Sequence, residues 1–183
     1  MTILTIFSKE PGKVTRLSHT EDEREIKRAL DKIGIRFERW TADKALKPGA
    51  DQGEILSAYQ RDVDRMINEG GYQSADVVRM QPEHPEREAM RQKFLSEHTH
   101  SEDEVRFFVE GAGAFYLRND DRVHQVVCTR GDLLSVPTGQ RHWFDMGPKP
   151  LFCAIRLFTS PSGWAANFTG DKIADAVPLY EAA

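Results

Sequence analysis

The chain has 183 residues, with 39% hydrophobic and 30% charged residues and a formal net charge of −4. That is the size and composition of one soluble domain that buries a core without disulfide staples. The acidic balance and the lack of basic runs argue against nucleic-acid or anionic-membrane partners, and no stretch approaches the ~20 apolar residues of a membrane helix. Thr2 to Phe7 alternates as a strand, and Lys9-Glu-Pro-Gly12 reads as its closing turn. Thr20-Glu-Asp-Glu23 is a capping box that opens a helix through Ile26, Ala29, Leu30 and Ile33, stopped by Gly34. Ile35 to Trp40 alternates again, and Ile55, Leu56, Tyr59, Val63, Met66 and Ile67 are spaced as one helix from Glu54 to Glu69, closed by Gly70-Gly71.

Beyond residue 75 the texture changes. Short strands are expected around Val77–Met80, Phe94–Thr99, Val105–Val109, Ala114–Arg118, Val123–Cys128, Leu133–Val136 and Leu151–Phe158, with Arg118 to Arg122 as a hairpin tip. This spacing predicts a β-sandwich or barrel, with the tail after Phe158 lying loosely on the surface. Cys128 and Cys153 are too few for a disulfide framework and are expected reduced and buried. With no signal-peptide pattern at the N-terminus, the expected compartment is the cytoplasm. His19, His84 and His124 sit in polar surroundings and are read as exposed.

The chemistry concentrates in His98-Thr-His100-Ser-Glu-Asp-Glu104. On an extended chain, side chains two apart share a face, so His98, His100 and Glu104 can converge. Two imidazoles and a carboxylate suit Fe, Ni, Mn, Co or Zn and leave coordination positions open. A second segment, Gly131 to His142, offers a fourth ligand behind the Pro137/Gly139 turn. Phe94, Glu102, Arg106 and Phe108 share the parity of His98, which would aim charged groups into an interior only a metal or ligand would justify. Val105, Phe107 and Val109 make the other face apolar, so the N-terminal helices are candidates to cover it. Glu102 is an alternative to Glu104, and the bland reading of Arg106 is a surface or salt-bridge residue, for instance with Glu102.

These two segments resemble the motifs of the cupin superfamily. The first pattern, G-x5-H-x-H-x3-E-x6-G, is met by His98, His100, Glu104 and Gly111, with Gln92 in place of the leading glycine. The second, G-x5-P-x-G-x2-H-x3-N, is met by Gly131, Pro137, Gly139 and His142, with Met146 in place of the asparagine. Within cupins, Lys93 to Gly113, including Arg106 two residues after Glu104, is similar to the acireductone dioxygenase family.

That resemblance implies a mainly β, cupin barrel or jelly-roll fold with flanking helices. It divides the chain into residues 1–75 as an N-terminal extension of strands and helices, 76–160 as the barrel core and 161–183 as the tail. It implies one Fe(II) or Ni(II) per chain held by His98, His100, Glu104 and His142, an acireductone substrate and dioxygen. Arg106 would then hold an enolate oxygen or orient an intermediate, Phe94 and Phe144 would line the methylthio tail, and Trp164 would close the mouth. The bland alternative for the three aromatics is core packing. Another cupin metalloenzyme, or a metal-binding cupin without turnover, remains open at this point, and the default assembly is a monomer.

Overall fold

The computed structural model describes residues 1–10, 13–160 and 165–181. Trp164 and the Pro11-Gly12 turn therefore lie outside the described residues.

Strand β1 (Ile3–Glu10) pairs antiparallel with β2 (Lys13–Thr20), a strand the sequence reading missed because it is largely polar and exposed. Helix α1 (Glu23–Asp31) is capped by Asp22, whose side chain accepts from the Glu25 N–H at 2.9 Å. The expected cap at Thr20 is thus displaced by two residues; the Thr20 hydroxyl instead donates to the Glu25 carboxylate at 2.6 Å. β3 (Arg36–Arg39) follows. The single helix expected over 54–69 is two helices, α2 (Gln52–Ala58) and α3 (Gln60–Gly70), with Tyr59 leaving helical geometry between them at φ −113°. Tyr59 is fully buried with its ring edge-on to Phe107 at 5.6 Å, so packing rather than a Gly or Pro breaks the run.

β4 (Ser74–Met80) comes next. Residues 87–94 then form helix α4 (Arg87–Phe94), and the expected strand at Phe94–Thr99 shrinks to β5 (His98–Thr99). The chain continues through β6 (Glu104–Asn119), β7 (Arg122–Thr129), β8 (Asp132–Val136), β9 (His142–Asp145) and β10 (Phe152–Phe158). Short β11 (Asn167–Phe168) and α5 (Ile173–Ala176) end it. The β6–β7 hairpin tip stands where expected, with Asp120 at φ 55°.

The strands build two sheets that share β6. One runs β11-β5-β9-β6-β7-β1-β2; the other, off the first half of β6, runs β4-β10-β6-β8-β3. The sheet does not close, so the architecture is a jelly roll of cupin type, mainly β with flanking helices. Phe108, Phe115, Val126, Leu134, Phe144, Phe152 and Ala154 fill the space between the sheets. Ile55, Tyr59, Val63 and Met66 of α2 and α3 cover Val105, Phe107 and Val109 on one outer face. Ile173, Ala174 and Val177 cover Ala114, Tyr116 and Trp143 on the other. Among the described tail residues, 173–177 therefore pack as an outer layer where a loose wrap was expected, while 165–172 are exposed. Cys128 and Cys153 are free and buried. Among the described residues no helix is long and apolar enough to cross a membrane.

His124 contradicts its expected exposure: it is 5% exposed, on the same face of β7 as the core residues Val126 and Cys128. It hydrogen-bonds the Leu117 backbone, whereas its Nδ1 has no partner among the described residues. Burial lowers its pKa, with the nearby Arg122 charge adding to the shift. As pH falls below about 6.5 the unfolded chain takes up this proton before the folded one, so stability drops. His124→Leu should lose less stability than wild type between about pH 7.5 and about pH 5.5 by urea denaturation. Parallel losses in the two proteins would refute this account of His124.

Candidate metal centre

β5, the start of β6 and the start of β9 meet at one end of the jelly roll. His98 faces His142 across the β5–β9 pairing, and His142 in turn pairs with Leu117 of β6. Glu104 opens β6, and Arg106 follows it on the same face. The turn before β9 is tied to the first motif: Gly139, at φ 76°, donates its N–H to the His100 carbonyl at 3.0 Å. Asp103 accepts from the Thr138 N–H and hydroxyl at 2.8 and 3.0 Å. The Pro/Gly turn thereby holds the His142 strand against the His98–Glu104 segment.

One donor atom from each of His98, His100, Glu104 and His142 lies within 4.8 Å of the others, and all four residues are buried. An octahedral ion with bonds of about 2.1 Å spaces its donors about 3 to 4 Å apart, so the group fits a single cation. Glu104 Oε2 is 2.7 Å from His142 Nε2 and 3.1 Å from His100 Nε2. Its other oxygen, Oε1, accepts from Arg106 Nε at 2.7 Å, leaving one oxygen turned toward the imidazoles.

The tautomers follow from the backbone. Nδ1–H of His98 donates to the Ser96 carbonyl at 2.8 Å, that of His100 to the Ala165 carbonyl at 3.0 Å, and that of His142 to the Gln140 carbonyl at 2.8 Å. A carbonyl only accepts, so a neutral ring carries its proton on Nδ1 and leaves Nε2 as the atom that can face an ion; the contacts of Glu104 Oε2 with the Nε2 atoms of His100 and His142 are hydrogen bonds only when those nitrogens are protonated. Burial, reinforced by His142, pushes His98 down to about 4, which keeps its lone pair available at neutral pH. Burial acts the same way on His100, but the Glu104 carboxylate outweighs it and the net shift is upward. Against its own burial, Glu104 is held well below the usual carboxylate range by Arg106, His100 and His142. Arg106 is 6% exposed, and burial lowers its pKa against the opposing pull of Glu104.

A cavity of about 310 Å³ opens onto this cluster, lined also by Lys93, Phe94, Phe144, Arg156, Ala166 and Phe168. Phe94 ends α4 rather than riding an extended strand, but its ring still meets Phe144 edge-on at 6.4 Å. Phe144 is almost wholly buried and joins the inter-sheet core as well as the wall. The Arg106 guanidinium lies 4.6 Å from its ring centroid. Glu102 accepts from the Thr159 hydroxyl at 2.9 Å and the Ser160 N–H at 3.2 Å, so it braces a loop. Of the two residues that depart from the motifs, Gln92 lies inside α4 and Met146 is buried in the core.

Sequence reasoning did not find Arg156, Phe168 or the strap formed by the tail. β11 pairs with β5, and Phe168 lies 5.9 Å ring-to-ring from His98. Thr169 donates through its N–H to the Glu97 carbonyl at 3.1 Å and through its hydroxyl to the Glu97 carboxylate at 2.7 Å. Arg118 bridges Glu97 and Asp171 at 3.2 and 2.7 Å. The alternation of Asn167 and Phe168 is too short to signal a strand.

Comparison with known proteins agrees with this site. The family model described as "ARD/ARD' family" matches residues 3–166. An acireductone dioxygenase of Parvibaculum lavamentivorans is 58% identical over 181 residues, covering 99% of this chain and 98% of that protein. One from Yersinia enterocolitica is 53% identical, covering 99% and 100%. Among solved structures, an acireductone dioxygenase from Bacillus anthracis with a cadmium ion in its active centre superposes with a TM-score of 0.77 at 26% identity, over 92% of this chain and 98% of that one. The four-residue metal-binding site, the jelly roll and a family match spanning nearly the whole chain converge: the chain belongs to the ARD/ARD' family.

Proposed function

We propose that the chain is an acireductone dioxygenase of methionine salvage. It cleaves 1,2-dihydroxy-3-keto-5-methylthiopentene with dioxygen, giving formate and 4-methylthio-2-oxobutanoate with iron, or formate, carbon monoxide and 3-methylthiopropanoate with nickel. The observation that carries this is the convergence of His98, His100, Glu104 and His142 beneath a cavity walled by Arg106 and phenylalanines. A divalent ion bound by these four residues supplies Lewis acidity toward an enediolate. Donors of nitrogen and oxygen type accept both Fe(II) and Ni(II).

The chain's own groups divide the remaining work. Arg106, kept in place by Glu104 Oε1, holds an enolate oxygen through a charge-assisted hydrogen bond. Phe94 and Phe144 shelter the methylthio tail and exclude water from the charged end. We place the activity in a monomer in the cytoplasm. Two free, buried cysteines suit a reducing compartment, and the exposed large apolar side chains (Met1, Leu17, Leu151, Phe168 and Leu179) are scattered along the chain.

The test is to strip the metal, reload Fe(II) or Ni(II) without oxygen, and then add a desthio acireductone and O2. Oxygen uptake with formate is expected for both metals, and carbon monoxide only with nickel; no uptake with either sinks the reading. Arg106→Ala should retain metal and lose turnover by about 10²–10³-fold, the usual worth of one fixed donor to a developing oxyanion.

A further inference from the structure

The cavity lining is unbalanced in charge. Lys93, Arg106 and Arg156 line it, while Glu104 is the single carboxylate among the described lining residues. Glu104 already faces Arg106 and two imidazoles. Arg156 stands opposite Arg106 in the β10–β6 pairing, and its Nε and Nη2 donate to the two Asp76 oxygens at 2.7 and 2.5 Å. That fork fixes the Arg156 guanidinium beside Arg106, each cation facing a carboxylate of its own, Asp76 and Glu104.

Lys93 is placed differently. It lies in the last turn of α4, exposed, and no carboxylate comes within 4.0 Å of it among the described residues. Yet α4 itself is firmly anchored. Arg91 donates from Nε and Nη2 to the buried Asp145 at 2.7 and 3.0 Å, and Asp145 also accepts the Gly147 and Tyr180 N–H groups. A rigid helix thus holds an ammonium without a carboxylate partner at the entrance of a cationic cleft.

We propose that Lys93, with Arg156 behind it, is a specificity-determining anion guide that draws the enediolate into the cavity in its charged form. The ligand identity rests on the dioxygenase reading above; the guide itself rests on the charge and placement of these side chains. A hydrated point charge on a flexible stem attracts without demanding one geometry, whereas the fixed Arg156 fork orients. Low-dielectric walls focus such a field and raise the local concentration of an anion.

The test is anaerobic calorimetric titration of the metal-loaded protein with a desthio acireductone, at about 0.01 M and about 0.15 M salt, between which the screening length falls from about 30 Å to about 8 Å. Lys93→Gln should weaken binding roughly five-fold at low salt, the worth of one unit charge near contact distance in water, and Lys93→Glu roughly 25-fold. Both should flatten the salt dependence, and Lys93→Arg should restore it. Lys32→Glu, at the C-terminal cap of α1, which lines no part of the cavity, is the charge-matched control and should bind as wild type. If Lys93→Gln and Lys93→Glu keep the wild-type dissociation constant and salt slope, the guide is refuted. Binding with a Lys93-dependent slope but no oxygen uptake would sink the dioxygenase reading and leave the guide standing. Oxygen uptake with Lys93-insensitive binding would do the reverse, and a wild-type protein that binds no enediolate overturns both.

Discussion

Glu104→Gln is expected to emerge from purification without metal and without oxygen uptake. Glu104 is where the site's charges meet: Oε2 faces His100 and His142 at 3.1 and 2.7 Å, and Oε1 takes the Arg106 Nε–H at 2.7 Å. An amide of the same shape removes the one negative charge among the four donors. It also turns a hydrogen-bonding NH2 toward the imidazoles or toward Arg106, because its two ends cannot both accept. Hydrogen-bond partners one step removed from a metal are each worth about 10–100-fold in affinity, so losing a charged ligand should exceed about 100-fold. A second cost falls on the protein itself. Arg106 is buried, and removing the charge that balances a buried ion costs about 3–5 kcal/mol. Glu104→Asp keeps the charge one methylene short and should hold metal weakly. Elemental analysis after gel filtration, beside thermal denaturation of the stripped proteins, separates the two effects. Stoichiometric iron or nickel in Glu104→Gln would rule out Glu104 as a ligand.

How much of this site the sequence displayed depends on what each group contributes. His98, His100, Glu104, Arg106 and His142 are side chains whose chemistry and spacing cannot be supplied by other residue types, so they were legible. The carbonyls of Ser96, Gln140 and Ala165 fix the three tautomers, but any residue has a carbonyl. No pattern could reveal them. The parity argument held along β6, where Glu104, Arg106 and Phe108 face inward and Val105, Phe107 and Val109 pack under α2 and α3. It failed before β5, because Arg87 to Phe94 is rich in helix formers and Phe94's match in parity with His98 is a coincidence across a helix end. His124 shows the opposite case. Its parity with Val126 and Cys128 marked it as interior, yet its polar neighbours in sequence suggested a surface.

Gly111→Ala should cost more stability than any other single-methyl addition along β6. The first half of β6 pairs with β8 and β10, and the second half pairs with β7 and β9. The strand changes sheets near Gly111, where the β10 register slips between Cys153 and Ala154 and Gly111 adopts φ 64°. A Cβ there would stand 1.8 Å from the Leu151 carbonyl oxygen and 2.9 Å from Phe152 Cα. Those are backbone atoms at the start of β10 and of the residue just before it, so relief requires moving that backbone and not rotating a side chain. Overpacking costs about 1–3 kcal/mol and left-handed geometry for a residue with a Cβ about 1–2 kcal/mol, so a loss of about 3 kcal/mol or more is expected. For a chain of this size that lowers the melting temperature by about 6–12 °C. Gly139→Ala is the control for conformational strain alone: its φ is 76° with nothing within 4 Å of the added Cβ, and about 1 kcal/mol should be lost. A Gly111→Ala protein no less stable than Gly139→Ala would show that the β10 strand gives way freely. The bend also joins the two groups of ligands. Glu104 belongs to the half of β6 paired with β8, whereas His98 and His142 lie on β5 and β9 in the other sheet. Forcing β10 away from Gly111 shifts one half of β6 against the other, so even the folded Gly111→Ala protein should hold its metal more weakly than Gly139→Ala does.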